Sequence, residues 1–224
     1  MEDILKKLSV EQDVYKLSVL LEKIAQEAIK IEDCSLIIKF INHKRPAVRQ
    51  SAIQALRACK RPDAEDALIK VITESQDEYD LTYANSELSR IGTNKAIPHL
   101  INLLKHPKGD VKCSALWALK EIGDTSLLPT FLKALQDRSA NVKGYAMLGI
   151  ARHGNEIAIK PVIDRTKTML KRKRTVESDD LIVALGFLIR FEEDYEEIHD
   201  LLDWIKSNKW DLLFDAEKEW MNSL

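Results

Sequence analysis

The chain has 224 residues, 45% of them hydrophobic and 31% charged, which is the composition of a folded domain rather than of a disordered segment. Its 34 basic residues are balanced by 36 acidic ones, so the molecule-wide basic field that accompanies nonspecific nucleic-acid binding is missing. Only seven Gly and six Pro are present among abundant Ala, Leu, Lys and Glu, which excludes a turn-rich all-β protein and predicts an all-α one.

The N-terminus, Met1-Glu2-Asp3, is acidic and leads into an amphipathic stretch, Ile4 to Ile29, without the basic flank and apolar core of an export signal. No apolar run reaches membrane-spanning length. Cys34, Cys59 and Cys113 show no close pairing along the chain, and an odd number argues against a disulfide framework and for a reducing compartment. These features predict a cytoplasmic protein with no membrane partner.

Self-similarity then organises the middle of the chain. Gly92, Gly123 and Gly154 recur every 31 residues, each closing an apolar-periodic stretch. Asp110-Val111-Lys112-Cys113-Ser114-Ala115-Leu116-Trp117-Ala118-Leu119 matches Asn141-Val142-Lys143-Gly144-Tyr145-Ala146-Met147-Leu148-Gly149-Ile150 position by position, and Ala47 to Leu56 fits the same frame. Each such helix follows another, carrying Leu100, Ile101, Leu103 and Leu104 in one case and Phe131, Leu132 and Leu135 in the next. Small residues at Ala52, Ala55, Ala115, Ala118, Ala146 and Gly149 predict close approach between helices of successive repeats.

The frame Val-Arg/Lys-x-x-Ala-x-x-Ala/Gly-Leu/Ile, ending in Ile122-Gly123, resembles the HEAT and phycobilisome-lyase HEAT-like repeats. The resemblance implies an α-solenoid of about six helix-pair repeats in one domain, 1–224, with an N-terminal cap at 1–32, repeats over 33–193 and a C-terminal cap at 194–224. Two departures stand out. Asp80 falls at the position of Val48 and Val111, and Glu87 at that of Ala55 and Ala118, so that helix is expected to sit atypically. In the fifth repeat, seven extra residues around Lys171-Arg172-Lys173-Arg174 predict a first helix about two turns longer or a protruding loop, with Asp180 again at the Val position.

Chemistry is hard to find. There is no P-loop, dinucleotide turn, nucleophile elbow or His-Glu-x-x-His pair, and His43, His99, His106, His153 and His199 lack zinc-ligand spacing, so no catalytic residue, cofactor or metal is predicted. Asp80 and Glu87, with Tyr83 between them, could form a carboxylate pair for acid–base or cation chemistry. The simpler expectation is that they reach solvent or pair with Arg90. The Lys167 to Arg174 run is read as a solvated face, opposed by Glu177, Asp179 and Asp180, which argues against nucleic acid as a partner.

In HEAT-like superhelices the outer face of the second helices lines the concave side. In that register Tyr83, Trp117 and Tyr145 form aromatic ladders beside Arg90, Glu121 and Arg152, a combination typical of interaction hot spots. With Glu87 these residues are the expected binding surface. The functional expectation is a non-catalytic protein-binding scaffold, in one form a bacterial toxin-immunity protein. HEAT-like alkylpurine DNA glycosylases and bilin lyases are the enzymatic alternatives, and the charge balance weighs against the first of them.

Overall fold

The computed structural model describes residues 2–26, 31–59 and 62–224, which include all of the expected repeat span except Lys60 and Arg61. Among the described residues the chain is helical, and no strand is formed beyond an isolated parallel bridge between Ile31 and Cys59. Within the expected N-terminal cap, 1–32, Met1 and residues 27–30 lie outside the described ones. The chain divides into two compact units, Met1–Gly123 and Asp124–Leu224.

The first unit contains α1 (Glu2–Val10), α2 (Val14–Gln26), α3 (Ser35–Phe40), α4 (Pro46–Ala55), α5 (Asp63–Glu74), α6 (Glu78–Ile91), α7 (Ile97–Leu103) and α8 (Gly109–Ile122). Even-numbered helices are the second members of the pairs, and α2 packs on α4, α4 on α6 and α6 on α8. Close packing follows from side-chain size: Ala52, Ala55, Ala84, Ala115 and Ala118 are all fully buried, so backbones approach while Leu56, Leu88, Leu116 and Leu119 fill the space between pairs. Within the segment read as the N-terminal cap, α1 packs on α2.

Helix ends are written locally. Pro46 occupies the first position of α4, where its missing N–H costs nothing, and Asp77 caps α6 by accepting from the Tyr79 and Asp80 N–H groups. Gly92 and Gly154 close their helices in extended backbone, so positive φ is not what selects them. Space is: a Cβ on Gly92 would lie 2.5 Å from the Leu88 carbonyl oxygen, and one on Gly154 would lie 2.8 Å from the Phe187 ring.

Cys34 and Cys59 are disulfide-bonded, their Cα atoms 5.8 Å apart, while Cys113 is buried and free of a disulfide. The expectation of unpaired cysteines is overturned, and with it the cysteine argument for a reducing compartment. The reason is tertiary. Cys34 immediately precedes α3 and Cys59 follows the 3-10 turn Leu56–Ala58 after α4, so one helix pair brings its own two ends together.

The second unit contains α9 (Leu128–Ala134), α10 (Ala140–His153), α11 (Ile159–Met169), α12 (Asp180–Ile189), α13 (Glu196–Asn208) and α14 (Asp215–Asn222). Here α10 packs on α12 and α12 on α14. The extra residues of the fifth repeat divide between two fates: α11 runs 11 residues where α9 runs seven, and the segment 170–179 links it to α12. Arg174 in this segment is not solvated as expected. Its guanidinium makes paired bonds of 2.5 and 2.6 Å to the buried Glu217 carboxylate and lies 4.9 Å from the Phe214 ring centre, which ties the segment to α14.

Candidate functional site

The two acids of the second repeat are not surface groups. Asp80 is 2% exposed and accepts from Arg49 Nε at 2.6 Å, while the same guanidinium reaches Asp77 at 3.1 Å. Glu87 is 1% exposed and is held by both Nε and Nη2 of Arg57, the Nε contact at 3.0 Å. A charge at these depths is tolerable only with a close counter-charge and hydrogen bonds. Arg49 and Arg57 are those partners, in place of solvent or Arg90, which stays exposed. As a result α6 is an ordinary helix packed between α4 and α8, contrary to the atypical placement expected of it.

With Asp80 and Glu87 each bound to its own arginine, the pair does not form a joint carboxylate site. Among the described residues no group of three or more His, Cys, Asp and Glu side chains gathers in a way that could hold a metal ion. A cavity of about 430 Å³ in the first unit borders this network, with His43, Arg49, Asp77 and Asp80 in its wall. One oxygen of Asp80, Oδ1, is buried there without a hydrogen-bond partner.

The outward face of α6 and α8 is different in character. Trp117 is 39% exposed although it sits on a helix whose neighbours Ala115, Leu116, Ala118 and Leu119 are fully buried. Lys120 Nζ lies 3.6 Å from the Trp117 ring centre and 2.6 Å from Glu121 Oε1, so the indole is oriented by a cation–π contact and the cation by a carboxylate. Tyr83 on α6 is half-buried and Arg90 exposed. Between the two helices, Asn85 Nδ2 donates to Ser114 Oγ at 2.9 Å, fixing their register beneath this face. In the second unit, Tyr145 on α10 is 36% exposed and Arg152 is exposed, while Arg190 donates to the Ala151 carbonyl at 2.8 Å.

The sequence matches the HEAT repeats family over residues 34–112 and 97–175, which together span more than half of the chain. The chain belongs to the HEAT-repeat family. Protein YibA of Escherichia coli K12 is 30% identical over 155 residues, covering 66% of this chain and 53% of YibA, so the chain spans about half the length of the curated relatives it matches. The crystal structure of E. coli YibA superposes with a TM-score of 0.67 at 22% identity, over 100% of this chain and 80% of that one. A designed armadillo repeat protein in complex with the peptide (KR)4 superposes at 0.58 with 18% identity, over 83% and 98% of the two chains. At these identities the structural likeness shows the α-solenoid fold alone.

Within the HEAT frame the residues missed from the sequence become legible. Arg49 precedes Asp80 by 31 residues and Arg57 precedes Glu87 by 30, which is one repeat. Asn85 to Ser114, Thr93 to Glu65 and Lys95 to Asp66 are polar contacts at separations of 28 to 29. Searching each acidic departure for a cation one period away would have found both arginines.

Proposed function

We propose that this HEAT-repeat chain is a non-catalytic, cytoplasmic protein-binding scaffold that recognises its partner through the solvent-facing side of its second helices. Tyr83, Arg90, Trp117 and Glu121 carry the contact in the first unit, and Tyr145 and Arg152 in the second. Glu87, buried against Arg57, is not part of that contact. The observation that carries this reading is Trp117: a large indole stands 39% exposed on a helix otherwise built for close packing, and Lys120 holds its orientation. Pre-oriented aromatics flanked by charge lose little entropy on contact and dominate interface energies. The likeness in fold to a designed armadillo repeat protein in complex with the peptide (KR)4 supports a peptide- or protein-binding use of such a stack. A toxin-immunity role is the special case in which the bound partner is a toxin domain.

The test pairs capture with stability. A partner retained by the parent from its native cell is titrated against the parent and Trp117→Ala. Binding should weaken by about 2 kcal/mol or more, roughly thirtyfold, with the thermal midpoint nearly unchanged. Unaltered affinity in a folded variant overturns the assignment. So does a stability loss of about 3–5 kcal/mol, the signature of a core tryptophan.

A further inference from the structure

The second unit holds a groove that the scaffold surface does not use. It has a volume of about 700 Å³ and is walled by the first turns of α10 and α12, the last turn of α11 and the 170–179 segment. Six basic side chains line it, Arg138, Lys143, Arg165, Arg172, Lys173 and Arg174, against one acid, Asp180. Arg174 is spoken for by Glu217. The other five make no ion pair within 4.0 Å among the described residues, unlike Arg49 in the first unit, which is matched by Asp77 and Asp80.

Asp180, attracted to Arg165, offsets these cations only in part. Gly144 lets its carboxylate lie flat against α10, where a Cβ would come within 2.7 Å of Oδ1, and burial there pushes its carboxyl above the ordinary range. Across from it Arg165 is half-buried, and that burial holds its guanidinium below its ordinary value despite the attraction of Asp180. The result is a half-buried cation, with no side-chain hydrogen bond among the described residues, lining an open groove. The first turns of α10 and α12 add backbone N–H groups and the positive ends of two helix dipoles.

We propose that this groove binds an acidic segment of a protein partner through its Asp and Glu carboxylates. Three features select that occupant. The guanidinium groups of Arg165 and Arg172 match carboxylates in bidentate geometry. An extended peptide places same-side carboxylates about 7 Å apart, so it can meet separate cations along the groove. A nucleic-acid duplex, with a charge about every 1.7 Å of axis, would press phosphates against the Asp180 carboxylate in the wall. A neighbouring cavity of about 300 Å³ shares Lys143, Arg165 and Thr168, so the path continues beyond one residue, and Met169 with the 76%-exposed Val176 offers contact to side-chain stems.

This inference deepens the protein-binding reading but is tested apart from it. A fluorescent synthetic peptide rich in Asp and Glu, the same peptide with Asn and Gln in their place, and a single-stranded oligonucleotide are titrated against the full chain. The acidic peptide should bind, weaken with rising salt, and lose about tenfold in affinity when the exposed pair is neutralised as Arg172→Gln with Lys173→Gln. Removing the same charge at the exposed Lys6 and Lys7 should change nothing, and Asp180→Asn should tighten binding. Absence of acidic-peptide binding, equal binding of the neutral peptide, tighter binding of the oligonucleotide, or indifference to the Arg172 and Lys173 changes each overturns it. Trp117→Ala should leave this titration unchanged, so failure of the scaffold face and failure of the groove give separate results.

Discussion

Gly149→Ala tests whether helix propensity or packing governs the second helix of the fourth complete repeat. In an exposed helix interior the change would stabilise by about 1 kcal/mol, because alanine loses less backbone entropy on folding. At this site the new methyl would lie 2.3 Å from two ring carbons of Phe131 and 2.7 Å from a third. Carbon atoms rest about 3.5–4.0 Å apart, so the ring must shift by more than an ångström. It has nowhere open to go: Phe131 is fully buried and stacks on His153 with ring centres 6.2 Å apart. Overpacking of this kind costs about 1–3 kcal/mol, which outweighs the propensity gain and leaves a net loss of up to about 2 kcal/mol. Urea unfolding followed by helical circular dichroism should show a lower midpoint with an unchanged slope. In a Phe131→Leu background, where the ring is gone, the same substitution should become neutral or stabilising. A single variant that unfolds at or above the parent midpoint refutes the packing argument.

Arg57→Ala should destabilise by about 3 kcal/mol because it takes a bidentate counter-charge from the Glu87 carboxylate at 1% exposure, whereas Glu87→Leu should cost much less, since the one-third-exposed Arg57 can turn to water. Equal losses in the two denaturation curves would contradict that asymmetry. Ala115→Glu places a charge at a fully buried helix contact in the first unit, and should abolish cooperative unfolding or lower stability by more than about 3 kcal/mol. Calorimetry showing a parental transition would mean that the repeat frame is misregistered.

The frame itself was legible because repetition multiplies a weak signal. A single Ala or Val says little about burial, but Ala52, Ala115 and Ala146 recur in one register and all are fully buried. Local punctuation was equally readable, since Pro46, Asp77 and the closing glycines act on backbone atoms within a few residues. What the sequence hid was tertiary. The Cys34–Cys59 bond joins residues 25 apart whose proximity depends on where α4 ends, and no local pattern encodes that.

The two acids of the second repeat show how far the same logic reaches. Read along one helix, Asp80 and Glu87 look like neighbours in search of a shared role, because a helix places residues seven apart on one face. Read across the stack, each is one period from an arginine, and the pairing runs from α4 and the 3-10 turn after it to α6 rather than within α6. Repeat proteins bury their faces against the next repeat, so the natural place to seek a counter-charge is one period away and not one turn away. Asp180 departs from that rule. It stands at the same ladder position as Asp80, yet the residue at Arg49's position is Lys143, which makes no ion pair with it, and Gly144 makes room for its carboxylate instead. Where the first unit closes its charges on themselves, the second leaves cations facing a groove, and that difference at equivalent positions is the reason to look for an acidic partner there.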